Sequence, residues 1–179
     1  REGYKYNVEK TKIIPVNRKD PPEVLLNGEP IGMSSKETHL GIIRNMQCNN
    51  ADTVEDRVQS GRRAVYSLMN AGFHSLNGAG PQVALLQYNT YVVPTMLYGL
   101  EALVLSDSEV EVVDAFHRKS LRYMLHLPPS TANAALYLLL GTLPMQAQID
   151  IRTLSLFRDV IAADSKSPPA LYMQELITR

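Results

Sequence analysis

The sequence predicts an α+β fold, mostly α: a small antiparallel β-hairpin or sheet at the N-terminus followed by a helical bundle. Three observations carry this. Asn27-Gly28 sits between short apolar stretches in EVLLNGEPI, and a type I′ turn needs positive φ at both central residues, which Asn-Gly tolerates best. From Pro81 onward, Leu86, Thr90, Val93, Leu97, Leu100 and Val104 recur at steps of three and four, the period of one buried helical face. Ser106 with Glu109 three residues on is the pattern of a capping box, where each residue satisfies a free N–H of the other.

Composition allows one ordinary domain or two small ones, at 179 residues. A hydrophobic fraction of 45% supplies a core. With 18 Lys+Arg against 18 Asp+Glu, net charge predicts no nucleic-acid partner, so any such role must rest on local patches. The single Cys48 excludes an internal disulfide framework and fits a reducing compartment. Residues 64–100 carry no Asp, Glu, Lys or Arg, but Gln82, Gln87, Asn89 and Pro94 interrupt the run. A bilayer span needs about 20 predominantly apolar residues, so this stretch reads as a buried core helix and not as a membrane span.

In chain order, Tyr4, Tyr6 and Val8 alternate in strand fashion, and Lys12 to Val16 reads as a short strand with Pro15 near its end. A polar break leads to the Glu23–Ile31 hairpin, and a third strand is expected at Thr38 to Ile43. Asn50 to Thr53 is a loop ending in a cap. The helix after it buries Val54, Val58, Val65 and Leu68, with Gly61 on the same face. Gly in a helix costs about 1 kcal/mol relative to Ala, so Gly61 points to close helix packing. Arg57, Arg62, Arg63 and Tyr66 lie off that stripe, and Arg62 and Tyr66 share a face one turn apart. Arginines beside a tyrosine suit a phosphate-tracking surface, with charge for the backbone and a ring for a sugar or base. A plain solvated face has the same pattern.

Residues 71–80 form a glycine-rich connector with neither phosphate-loop spacing. Pro81 suits a first helical turn, and Pro94 should kink the helix it opens. Glu101, if buried, needs a partner, for which Arg118 or Arg122 are in reach. The next helix is acidic at Glu109, Glu111 and Asp114, then basic at His117, Arg118, Lys119, Arg122 and His126 with Tyr123 among them. That order suits the helix dipole. After Pro128-Pro129, Ser130 or Thr131 can cap a short helix that Gly141 ends, and a further helix runs to about Ala163. A linker at 165–169 and a last short helix from Pro169 to Thr178 close the pattern.

The stretches VVPTMLYGLEALVL and FHRKSLRYMLHLP resemble the region after the palm in reverse transcriptases of non-LTR (LINE-type) retrotransposons. Tyr98, Gly99, Glu101, Arg118, Leu121, Arg122, Leu127 and Pro128 carry the likeness through their order and spacing. Gly3, Asn7, Lys10 and Thr11 resemble the end of that palm, and Thr38-His39-Leu40-Gly41-Ile42 resembles the primer-grip hairpin after it. LYLLLGTLPMQAQIDIRTLSLF is similar to the same proteins downstream of the thumb.

The resemblance implies three regions: 1–47 as the end of the palm, 52–127 as a helical thumb and 128–179 as a helical extension. It places Lys10 near the incoming nucleotide's phosphates and His39, Leu40 and Gly41 at the primer's 3′ end. It puts Arg62, Arg63, Tyr66, Arg118, Lys119 and Arg122 on an RNA–DNA or RNA template–primer duplex. The upstream fingers and palm become a partner, and the location intracellular, nuclear or cytoplasmic. Such a polymerase holds Mg²⁺ through carboxylates that include an adjacent Asp pair. No Asp-Asp occurs here, so no catalytic residue and no metal ligand is expected within these residues. The pair is expected upstream of Arg1, and the chain alone is expected to be inactive. The alternative is a non-enzymatic helical interaction module, a decayed or domesticated retroelement fragment.

Overall fold

The computed structural model describes residues 7, 11–18, 23–26, 28–74, 78–163 and 168. It is α+β and mostly α, with short strands before a run of helices. Chain contacts divide it into two compact units, Arg1–Asp56 and Arg57–Arg179. The last helix expected, from Pro169 to Thr178, lies outside the described residues, as do Gly3, Tyr4, Tyr6, Val8, Lys10 and Asn27.

In the first unit the strands pair two by two. β1 (Lys12–Ile13) runs parallel to β4 (Gly32–Met33). β2 (Leu25–Leu26) and β3 (Glu29–Pro30) are antiparallel, with Leu26 opposite Glu29. Gly28 in the intervening turn has φ of 86°, the left-handed conformation that glycine adopts without strain. β5 (Lys36–His39) and β6 (Ile42–Asn45) form the best-developed hairpin, with His39 opposite Ile42. The single strand expected over Thr38–Ile43 is therefore two strands turning at Leu40-Gly41. Both turn residues have positive φ, 51° and 80°, as a tight hairpin requires.

Helix α1 (Ala51–Asn70) follows. Thr53, expected to end the loop as a cap, lies inside its first turn and is fully buried. Its hydroxyl accepts from Ile43 N–H and donates to Ile43 O, each at 3.0 Å. Asn45 Nδ2 donates to Asp52 Oδ2 at 2.7 Å, and this bond holds the Asp52 carboxyl below its usual range against an opposing effect of burial. The β5–β6 hairpin is thus tied to the first turn of α1.

The second unit holds most of the core. Gly61 of α1 packs as its position predicts: a Cβ there would meet Phe116 Cε1 at 3.1 Å and Met96 Cβ at 3.3 Å. Helix α2 (Pro81–Gln87) passes into a π-helical turn at Tyr88–Val92 and then into α3 (Val93–Leu97). The cause is Pro94, which has no N–H to give the carbonyl one turn back. The chain widens the turn instead, and Val93 N–H reaches back five residues to Tyr88 O. Thr95 Oγ1 donates to Tyr91 O at 2.7 Å and supports the altered segment.

One wide turn also shifts the buried face. Val93, Leu97 and Leu100 are buried as expected, but Leu86, Thr90 and Val104 are exposed. Ala84, Tyr88, Val92 and Met96 take their place inside. After a short 3₁₀ turn at Leu100–Ala102 comes α4 (Asp107–Met124). Its capping box forms as predicted: Ser106 N–H donates to Glu109 Oε2 at 2.8 Å and Glu109 N–H donates to Ser106 Oγ at 3.4 Å. α5 (Asn133–Leu140) begins at Ala132 without a side-chain cap, so neither Ser130 nor Thr131 serves, and it ends at Gly141 with φ of 60°. α6 (Met145–Ala162) packs against α4 and the 3₁₀ turn. Residues after Pro128 thus share one compact unit with α4.

Candidate functional site

Site residues expected from the sequence divide into those that face outward and those that α4 turns inward. On α1, Arg62 and Arg63 are exposed, and Tyr66 is about half exposed at 53%. Arg63 Nη2 donates to Ser60 Oγ at 2.8 Å, a surface contact within the helix. Arg57, one to two turns earlier, lies over the Tyr98 ring with its guanidinium carbon 5.7 Å from the centroid, within cation–π range. Tyr98 is thereby held by a cation. On α4, Lys119 and Tyr123 are exposed.

Arg118 is built into the protein, with only 14% of its side chain accessible. It donates to Asp114 one turn back, and its Nη2 reaches Glu111 Oε1 at 2.5 Å. The Glu111 carboxylate, with Asp114 beside it, holds the guanidinium well above its ordinary range. Arg122 donates through Nε and Nη2 to Thr131 O at 3.2 and 2.8 Å, and to Asn133 Oδ1 at 2.6 Å. It clamps the loop between α4 and α5. Neither arginine meets Glu101, whose Oε2 is buried without a hydrogen-bond partner among the described residues. The expected Glu101 ion pair does not form because both arginines are engaged nearer home. Glu101 is instead held through its main chain, where its carbonyl accepts from Thr153 Oγ1 at 3.1 Å.

Asp114 is the centre of a polar seam. Besides Arg118, it accepts from Tyr137 Oη at 2.9 and 3.0 Å and from Met145 N–H at 2.8 Å. One carboxylate thus joins α4, α5 and the first residue of α6. Burial, with the adjacent carboxylate, pushes the Tyr137 hydroxyl up to about 12. His117 stacks on Tyr137 with centroids 6.3 Å apart, and its Nδ1 lies 2.9 Å from Tyr88 Oη. Burial also raises the Tyr88 hydroxyl, and it lowers His117 to about 4 against the opposing pull of Asp114. His117 Nε2 is buried with no hydrogen-bond partner among the described residues, so a doubly protonated ring would hold an unsatisfied N–H there.

Sequence reading took the acids of α4 for dipole complements and missed this seam. The signal was present: Asp114, His117 and Ser120 fall on the stripe of Val110, Val113, Leu121 and Met124, all of them buried. Polar residues on an apolar stripe at helical spacing must find partners inside.

The expected primer-grip residues His39, Leu40 and Gly41 form the end of the β5–β6 hairpin. Leu40 is 75% exposed at the turn, and His39 joins Lys12, Ile14, Glu37, Thr38 and Arg44 in lining an open cavity of about 260 Å³. Lys10 lies outside the described residues. Among the described residues no three His, Cys, Asp or Glu side chains come together to hold a metal ion. No helix among them is long and apolar enough to cross a membrane. Comparison with protein-family models, characterised proteins and solved structures gives no match to this chain.

Proposed function

We propose that this chain is the palm end, thumb and following helical region of a non-LTR retrotransposon reverse transcriptase, and that it grips the template–primer duplex. The observation that carries the reading is the outward face of α1, where Arg62, Arg63 and Tyr66 stand free of the core. Exposed arginines can meet phosphates without first giving up an internal partner, and a neighbouring ring can stack on a sugar or base. The exposed Leu40-Gly41 turn supports it, since its glycine allows close backbone approach to a strand end. In this reading the Mg²⁺ ligands belong to an upstream palm, and the chain alone does not polymerise. The duplex contact uses α1 and Lys119, while Arg118 and Arg122 shape the protein.

The test is binding to a labelled RNA–DNA heteroduplex across a salt series. Loss of two phosphate contacts in Arg62→Ala/Arg63→Ala should reduce the salt slope by about 2. Failure of the folded chain to bind at low salt would overturn the reading. The second reading, a helical module that binds protein, is favoured by one observation: α4 turns Arg118 and Arg122 inward, so the basic patch read from the sequence is smaller than it looked.

A further inference from the structure

Helix α6 is apolar on two sides. Its packed side carries Met145 and Ile149, both buried. The opposite side carries Ile151, Leu154, Phe157 and Ile161, exposed at 56%, 67%, 46% and 58%. Steps of three and four place these four on one stripe, centred on Leu154. The packed side is buried only over the first turns, and Leu156 further along it is 42% exposed, so the part of α6 that carries the stripe has apolar surface to cover.

The order of residues around Leu154 identifies the partner. Ile151 and Phe157 stand three residues to either side, and Ala147 and Ile161 seven. Asp150 and Arg158 stand four to either side, with opposite charge. Reversing the helix about Leu154 therefore puts apolar on apolar and acid on base. A parallel pairing would instead face Asp150 with Asp150 and Arg158 with Arg158. We infer that α6 pairs antiparallel with α6 of a second copy of this chain, across a two-fold axis at Leu154. Such an interface is isologous: every contact is made twice, and Asp150 reaches the level of Arg158 of the second copy. Arg158 now donates to Asp159 Oδ1 at 2.8 Å and to Ser155 Oγ at 3.2 Å, and Asp150 accepts from Gln146 Nε2 at 2.8 Å. These are exposed surface contacts, weak enough to be exchanged. The inference is independent of any nucleic-acid role.

Sedimentation equilibrium of the whole chain tests it. The 20.0 kDa mass should double as concentration rises through the micromolar range, as expected of a small interface of about one helix face per copy. Leu154→Glu, which sets two carboxylates on the axis, should keep the chain monomeric with its helical circular dichroism unchanged. Asp150→Arg and Arg158→Asp should each weaken the dimer about tenfold or more, and the double variant should recover it. In a Cys48→Ser background, Leu154→Cys should oxidise to a covalent dimer. A chain that stays monomeric to about 100 μM overturns the inference and assigns the stripe to a different occupant. Self-association that ignores Leu154→Glu, or a double variant as weak as the singles, overturns it as well.

Discussion

Two sets of arginines read alike in the sequence and differ in the fold. On α1, Arg62 and Arg63 are exposed. On α4, Arg118 is held by Glu111 and Asp114, and Arg122 by Thr131 O and Asn133. The difference lies in what each helix faces. Among the described residues, α1 offers Arg63 only Ser60 of its own helix, whereas α4 carries two acids, Glu111 and Asp114, along the side of Arg118, and the loop into α5 brings Thr131 O and Asn133 to Arg122. A cluster of charge at a helix end is therefore no site in itself; the acceptors around it decide whether it is free to bind.

The comparison breaks most sharply at Asp114. Asp114→Ala would strip one of two acidic partners from Arg118, and the acceptor from Tyr137 Oη and Met145 N–H. Removing one side of a buried ion pair costs about 3–5 kcal/mol, and urea denaturation should show a loss of that order. A loss below about 1 kcal/mol would mean that the seam does not hold the helices. Glu111, largely exposed, is the control: Glu111→Ala should cost at most about 1 kcal/mol.

His117 gives the pH signature of the same seam. Its folded value, about 4, lies below the ordinary imidazole value of about 6.5. Below that ordinary value the unfolded chain binds a proton that the folded chain refuses. Stability from this group is thus complete above pH about 6.5 and falls as pH drops toward 4, by about 3 kcal/mol in all at 1.36 kcal/mol per unit. His117→Asn should flatten the stability–pH curve by about one proton in that window. An unchanged slope would show that the ring is solvated.

A direct test of the two arginine sets compares stability with binding. Arg122→Ala leaves Thr131 O without its donor and should cost about 1–3 kcal/mol, with heteroduplex binding lost only as far as folding is lost. Arg62→Ala/Arg63→Ala should stay within about 0.5 kcal/mol of the parent at each surface position while lowering the salt slope. The reverse result would exchange the roles given to α1 and α4.

Much of the fold was legible because local chemistry dictated it. The Ser106–Glu109 box and the Gly141 stop follow from residues a turn or less apart, and Gly61 marked a close approach from its own place on the buried stripe, though not its partners Phe116 and Met96. What escaped reading depended on a shifted period or on distant partners. Pro94 announced a kink, but not that the helix would widen to a π-turn, burying Tyr88 and Met96 in place of Leu86, and end at Leu97, so that Val104 lies exposed beyond it. The partners of Arg122, Thr131 O and Asn133, lay beyond its helix, whereas those of Arg118 stood within two turns on α4 and were taken for dipole complements. Glu101 looked like the natural acid, while Asp114, joined to Tyr137 and Met145 far along the chain, fixed the helices in another way. The outward arginines of α1 were readable because they lie off an unbroken apolar stripe.

The smallest effect concerns the other outward feature, the β5–β6 turn. Leu40 carries no turn signal, yet it sits at φ of 51° beside Gly41 at 80°. A side chain with a Cβ pays steric strain in that region, on the order of 1–2 kcal/mol, and Leu lacks the polar group that lets Asn bond locally there. The hairpin holds because Lys36 to His39 and Ile42 to Asn45 pair in full register and Thr53 ties Ile43 at both backbone groups. Leu40→Gly keeps those ties and removes the strain, at the cost of a more flexible unfolded chain. The net should be a gain of up to about 1 kcal/mol in thermal or urea unfolding. If Leu40 serves the strand end proposed for it, the same variant should reduce extension by the complete polymerase while the chain becomes more stable. A gain in stability with extension unaltered would make Leu40 a turn residue only, and would leave the duplex contact to α1 and Lys119.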